Sequence, residues 1–187
     1  MTEITKPKLI LLNGPLGSGK STLAEKYAEN HPITLCLDVD NVRSMISHWR
    51  ERKKESGPIS KDIALAMTRV ALQSGHDVVV AQILQTNELA EKFSLLAEEC
   101  KANYYEILLS IPKKEAINRF LERGKSQGHP SGFREGGIIA TSGREEKLAE
   151  MYENMSSVAN NRKQTIVIDS IYGDIDGTYD ELLSKLS

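Results

Sequence analysis

The 187-residue chain has few cysteines, no long apolar run and almost no excess of either charge. Cys36 and Cys100 stand far apart and match no metal-binding spacing, so they are expected to be buried, reduced thiols. A formal net charge of −2 gives no global basic field to draw in nucleic acid or an anionic membrane. No apolar run approaches the roughly 20 residues that span a bilayer. The first residues, MTEITKPK, lack the apolar core of a signal peptide, so no membrane partner is expected and the location is expected to be cytoplasmic.

What is present is an alternation of short apolar runs with amphipathic segments, the pattern of βαβ units on a parallel sheet. Residues 9–13 (LILLN), 33–38, 77–82, 104–110 and 165–169 read as five strands, and their unbroken apolar character suits strands covered on both faces. Helices are expected between them. One spans 86–101 with Leu89, Phe93, Leu96, Ala97 and Cys100 on one face; another opens at Pro112 and closes at Gly124. Ser142 with Glu145, and Thr178 with Glu181, have capping-box spacing and mark two further starts. The chain reads as one doubly wound α/β domain over 1–187. Residues 50–58 (RERKKESGP) read as a solvated loop between two helices. Residues 124–143 carry six of the thirteen glycines; a long unstructured stretch in a compact domain is usually functional or disordered, and this one reads as a mobile lid, with plain disorder as the alternative.

Gly14-Pro15-Leu16-Gly17-Ser18-Gly19-Lys20-Ser21 matches G-x-x-x-x-G-K-[ST], after a strand and before a helix that begins at Thr22. Glycines let successive backbone N–H groups converge on phosphate oxygens, and the following helix adds its positive end. Lys20 is placed to reach the β- and γ-phosphates, and the Ser21 hydroxyl to ligate Mg²⁺. There is no N-K-x-D guanine motif, and strand 77–82 ends in Ala81-Gln82 without a Walker-B carboxylate. GTPase switches, motors and ATPases are therefore disfavoured, and ATP is the expected nucleotide.

The second strand ends in LDVDNVR. Parallel strands bring their carboxyl ends to one crevice, so Asp38 and Asp40 share the rim of the phosphate loop. Asp38 is suited to hold a water of the Mg²⁺ shell, Asp40 to accept the acceptor's proton. Against this, Asp40 also reads as the N-cap of a helix over 41–50, and Asp38 as a solvated strand end. Gln82, at a strand end facing the same crevice, is suited either to bind an acceptor or to a purely structural role. Trp49 and His48 follow two turns later, where they line an acceptor pocket or simply the surface.

GPLGSGKST, followed by a D-x-D strand end and the D-x-x-R run Asp40 to Arg43, resembles the AAA_33 P-loop kinase group. That group includes polynucleotide 5′-kinase, shikimate and gluconate kinases, chloramphenicol phosphotransferase and zeta-type toxins. The resemblance implies a three-layer P-loop NTPase fold: a five-stranded parallel sheet in order 2-3-1-4-5, helices on both faces, and a lid. It implies that Asp40 is the general base, that Arg43 contacts the acceptor, and that arginines at the lid base stack on adenine or clamp phosphates. Arg119 and Arg123, four apart on one helix face, match the last role, although an exposed flank paired to Glu115 and Glu122 is the plainer alternative. Arg134 and Arg144 are further candidates for the phosphate in flight. Ala81-Gln82-Ile83 departs from the acid-Arg-Ser motif of deoxynucleoside kinases, and the glycine triplet of shikimate kinases is missing.

The expectation is transfer of the ATP γ-phosphate to a hydroxyl of a small-molecule acceptor. A nucleic-acid 5′-hydroxyl is disfavoured by the net charge, and a non-catalytic ATP-binding regulator would leave Asp40 without a role. The acceptor and the oligomeric state are not readable from the residues.

Overall fold

The computed structural model describes residues 6–123 and 144–186. Five strands form one parallel sheet: β1 (Lys8–Asn13), β2 (Leu35–Leu37), β3 (Val78–Ala81), β4 (Asn103–Ser110) and β5 (Ile166–Asp169), in the order β2-β3-β1-β4-β5. The helices are α1 (Lys20–Asn30), α2 (Val39–Ser44), α3 (Lys53–Gln73), α4 (Glu88–Glu99), α5 (Lys113–Arg123), α6 (Arg144–Asn160) and α7 (Ile175–Lys185). The arrangement is the three-layer P-loop fold with the strand order expected above. No described helix is long and apolar enough to cross a membrane.

Successive side chains of a strand point to opposite faces, which explains the unbroken apolar run of β1. Leu9 and Leu11 pack in one core with Val78, Val80, Leu89 and Phe93. Ile10 and Leu12 pack in the other with Leu23, Tyr27, Ile107 and Leu182. All four β1 residues are fully buried. Each such side chain contributes roughly 1.5–3 kcal/mol, so the strand that carries the phosphate loop is the best-anchored element of the fold.

Four expectations are corrected. Cys36 is exposed because β2 is a sheet edge, and Cys100 is half-buried; neither is a buried thiol. Residues 53–58 are not loop but the start of α3. Pro58 is tolerated there because the carbonyl it leaves unpaired, that of Lys54, lies in the exposed first turns. The helix read over 41–50 is shorter and earlier, α2 spanning Val39–Ser44. Thr178 lies inside α7: the cap is Asp174, whose Oδ1 accepts from the Gly177 amide at 2.8 Å, and the Thr178 hydroxyl donates to the Asp174 carbonyl. The lid over 124–143, with Gly124, His129, Arg134 and Ser142, lies outside the described residues, as do the side chains of Arg123 and Arg144.

Candidate active site

The loop between β1 and α1 is held in shape from beneath. Asn13 is fully buried, and its Oδ1 accepts from the amides of Gly14 (2.8 Å) and Leu84 (3.0 Å). Gly17 has φ 85°, and a Cβ there would lie 2.8 Å from the Ala116 carbonyl oxygen, so only glycine lets the loop pass against α5. Gly19 caps α1 in the left-handed region, also at φ 85°, with no side-chain cap and no acid in the first turn. The positive end of α1 is thus left for an external anion. Lys20 curls back over the loop, Nζ donating to the carbonyls of Gly14 (2.8 Å) and Pro15 (2.9 Å). Ser18 Oγ is buried without a partner among the described residues. Pro15, Leu16, Ser21 and Thr22 complete the expected cradle in sequence order.

The register brings three strand ends to one rim. Leu37 pairs with Val80 and Leu12 with Ala81, so Asp38, Gln82 and Asn13 emerge together. Asp38, and not Asp40, caps α2: its Oδ1 accepts from the amides of Asp40 (2.8 Å) and Asn41 (3.3 Å). Asp40 sits in the first turn of α2, reachable by solvent but crowded by protein. Desolvation raises its pKa above the usual carboxylate range; the like charge of Asp38 adds to this, and Arg43 and Lys20 oppose it. Burial also raises the pKa of Asp38, against the two backbone N–H bonds and Lys20. Both carboxylates therefore feel the P-loop lysine.

Arg43 is bonded to the start of α3. Its Nε donates to Ser56 Oγ (3.0 Å) and its Nη2 to the Lys53 carbonyl (2.7 Å). Gln82 donates through Nε2 to the Ile83 carbonyl (3.3 Å), while its Oε1 is buried without a partner. His48 is exposed on a turn with φ 56°.

Beyond the loop's glycines a cavity of about 510 Å³ opens between α5 and the segment after β5, with Gly17, Ser18 and Gly19 at one end and Arg119, Ile171 and Tyr172 at the other. Arg119 has a side chain only 10% exposed and pairs with Glu115. Its Nη2 donates to the Ser170 carbonyl (3.3 Å), and its guanidinium lies 5.0 Å from the Tyr172 ring centroid. Its Nε is buried with no partner. The Glu115 pairing expected of an exposed flank is thus real, but the flank itself is not exposed. Ser170 ties the segment to the loop, its Oγ donating to the Ser18 carbonyl at 2.8 Å. Asn13, Ser170 and Tyr172 were missed in the sequence; only the polar end of an apolar strand marked Asn13.

The groups present fit a nucleoside triphosphate and a divalent cation. Ser18 and Arg119, each with a buried polar atom that has no partner among the described residues, line a cavity that starts at a helix N-terminus. The Ser21 hydroxyl and the uncommitted oxygen of Asp38 suit a Mg²⁺ ion that keeps several waters.

The sequence profile described as AAA domain, AAA_33, matches residues 9–138. An adenylate kinase of Deinococcus radiodurans is 28% identical over 135 residues, 67% of this chain and 68% of that protein. An adenylate kinase of Deinococcus deserti is 26% identical over the full length of both. Among solved structures, a gluconokinase from Sinorhizobium meliloti superposes with a TM-score of 0.61 at 18% identity, covering 97% of this chain and 92% of that one. The Pnkp1/Rnl/Hen1 RNA repair complex does so with a TM-score of 0.64 at 16% identity, covering 84% and 47%.

Proposed function

The chain belongs to the AAA_33 family of AAA domains, and from that membership we propose that it is an ATP-dependent kinase, acting as one catalytic domain on a hydroxyl of a small molecule. The amides of residues 14–22 wrap the phosphates, Lys20 neutralises charge on the β- and γ-phosphates, and the base points toward Arg119 and Tyr172. Mg²⁺, held by Ser21 and through water by Asp38, supplies further charge neutralisation when bound. Asp40 takes the acceptor's proton as the new O–P bond forms and the β–γ bridging bond breaks. Arg119 would meet the charge on the phosphoryl group in flight, a role the resemblance also assigns to Arg123, and Arg43 and Gln82 would orient the acceptor.

One observation supports this reading: the parallel register of β2, β3 and β1 brings the strand end that carries Asp38 and Asp40 to the same rim as the phosphate loop. The test is ADP release with Mg-ATP and a panel of sugars, nucleosides, antibiotics and oligonucleotides. Asp40→Asn is expected to bind Mg-ATP normally and to lose transfer. Transfer at the wild-type rate would remove the base assignment.

A second reading, a phosphate acceptor, is favoured by the adenylate kinases among the relatives. Two carboxylates at the rim weigh against it, because a phosphate monoester is already mostly ionised at neutral pH, needs no base and is repelled by them. If AMP is converted to ADP faster than any alcohol in the panel is phosphorylated, the hydroxyl reading is overturned.

A further inference from the structure

Helix α3 is turned inside out. Its buried positions are Ser56, Ser60, Ala64, Thr68 and Leu72, so mostly small and polar groups point inward. Its larger apolar side chains point outward: Ile59, Ile63, Met67 and Val70 are between 37% and 64% exposed, and Ala66 is exposed beside them. A surface helix ordinarily turns such residues to the core, where each contributes roughly 1.5–3 kcal/mol. Ile59, Ile63, Ala66 and Val70 recur at intervals of four, three and four residues, the spacing of a continuous seam along one side of a helix. Leu95 of α4, also exposed, stands one turn before Glu99, which reaches Arg69 of α3 at 2.6 Å, so it borders the same face. Scattered apolar residues on a surface need no explanation. A contiguous seam with a charged rim marks a protein contact.

The charges beside the seam select what can cover it. Asp62 and Arg69 stand on one flank, two turns apart. Asp62 forms no salt bridge among the described residues; Lys92 of α4 feels its charge but is bonded to Glu88 at 2.7 Å. Arg69, bonded to Glu99, keeps a side chain 46% exposed. A second α3 laid antiparallel across the seam, about an axis at residues 64–65, sets Ile59 against Val70 and Ile63 against Ala66 of the second copy. In that register Asp62 falls beside Arg69 of the second copy, and the reciprocal pair forms across the axis. Glu55, the next charge on the flank, lies opposite the end of the second helix. A parallel pair would instead set Asp62 against Asp62 and Arg69 against Arg69. The face is thus complementary to itself, in apolar spacing and in charge, in one orientation.

We propose that α3 is the interface of a homodimer, in which two copies of this chain pack antiparallel through Ile59, Ile63, Ala66 and Val70 and are held in register by two Asp62–Arg69 pairs. The proposal does not depend on which reaction the chain performs. It places the interface on the helix that joins β2 to β3, at one edge of the sheet, whereas the cavity beside Tyr172 lies toward β5 at the other edge and is lined by no residue of α3. The seam begins about one turn beyond Ser56, which is bonded to Arg43. Association therefore joins the two copies through the helix that supports Arg43 and leaves the nucleotide side apart from the contact.

Sedimentation equilibrium of the full chain tests this. A dimer with a dissociation constant on the order of 1 μM is expected, at the weak end for a contact of two helices. Ile63→Glu is expected to raise that constant at least about 100-fold, because it buries two unpaired carboxylates, while unchanged Mg-ATP affinity by calorimetry reports an intact fold. Should that variant fail to fold, the charge series carries the test, since Asp62 and Arg69 flank the packed seam. Asp62→Arg and Arg69→Asp each bring two like pairs together and are each expected to weaken the dimer about tenfold; the double exchange in one chain restores it. A chain that stays monomeric at about 100 μM, whether or not it binds phosphatidylcholine–phosphatidylglycerol vesicles or another protein, overturns the proposal. A dimer indifferent to Ile63→Glu, or to both single charge reversals, overturns it too, as do losses that the double exchange does not repair. None of these outcomes depends on turnover, so failure here is distinct from failure of the ADP-release test.

Discussion

On the donor side of the site, eight consecutive residues, Gly14 to Ser21, present mainly backbone to the ligand. On the proposed acceptor side, Asp40, Arg43, Trp49, Arg50 and Gln82 present side chains from α2, the following turn and the end of β3. The donor loop grows out of a strand buried on both faces and is bolted down by Asn13. The proposed acceptor side is largely solvent-accessible and hangs on one buried hydroxyl, Ser56. Backbone recognition tolerates few alternatives, so the loop is shared across a family. Side chains on an exposed turn change without cost to the core, so acceptors diverge. The contrast predicts that the two halves fail independently.

Asp40→Asn gives the largest effect. Loss of a general base lowers kcat by about 10²–10⁴-fold. Mg-ATP affinity is expected to change far less than kcat, since residues 14–22 would bind the phosphates through their backbone amides. Gly17→Val is the mirror-image lesion: its Cβ meets the Ala116 carbonyl at 2.8 Å in a left-handed backbone. Overpacking and φ strain together cost about 2–5 kcal/mol, and calorimetry is expected to show Mg-ATP affinity reduced roughly 30-fold or more. The acceptor KM should survive unchanged. If Gly17→Val moves Mg-ATP affinity and acceptor KM equally, the halves are not separable.

The same contrast decides how much was legible in the sequence. The loop and β1 were readable because their determinants are contiguous and their apolar run has one interpretation. The acid pair was found, but the cap was assigned to the wrong member. Asp38 and Asp40 are two residues apart, and only the actual start of α2 shows which carboxylate reaches the next amides. The start of α3 was unreadable for a different reason. Its buried positions are Ser56, Ser60, Ala64, Thr68 and Leu72, while Ile59, Ile63, Met67 and Val70 face solvent. A helix with small polar residues inside and apolar ones outside defeats a search for apolar periodicity. Cys36 was misplaced because the general tendency of free cysteine to be buried does not hold on an edge strand, although the implied strand order already put β2 at the edge. Tyr172 carried no motif at all; only the cavity reveals it.

Donor-side specificity is open to a gentler lesion. Tyr172 is 72% exposed and stacked by Arg119, a platform for a nucleobase. Tyr172→Ala is expected to weaken Mg-ATP binding about tenfold, in line with base–aromatic stacking, with acceptor KM unchanged. A tenfold change in acceptor KM instead would tie the two halves together.

The pH response sharpens the comparison from the acceptor side. As the proposed base Asp40 would act only when ionised, and its pKa is raised by burial and by Asp38, against Arg43 and Lys20. Activity is therefore expected to fall with acid at a pH above the ordinary carboxylate value near 4, while Mg-ATP binding holds over the same range. The stability consequence has the opposite sense. With the folded pKa above the unfolded one, the native state binds more protons between the two values, and stability falls as pH rises through that window. Asp40→Asn should thus raise Tm at neutral pH, and the gain should vanish below the unfolded pKa. A profile that follows an unshifted carboxylate would place Asp40 in open solvent.

The smallest effect separates a positioning residue from one that binds. Ser56 is itself buried, yet it holds both Arg43 Nε and the Trp49 carbonyl. Ser56→Ala removes about 1 kcal/mol of hydrogen bonding, which lowers Tm by a few degrees in a domain of this size. Were that its whole role, the acceptor KM would be unaffected. If the hydroxyl also fixes where the guanidinium points, that KM rises about fivefold at a temperature well below unfolding, and Ser56→Thr, which keeps the hydroxyl, recovers most of the loss. Mg-ATP affinity, set by the backbone of the loop after β1, should not move in either variant. A loss of stability without a rise in acceptor KM would reduce Ser56 to a helix-start contact and leave Arg43 oriented by Lys53 alone.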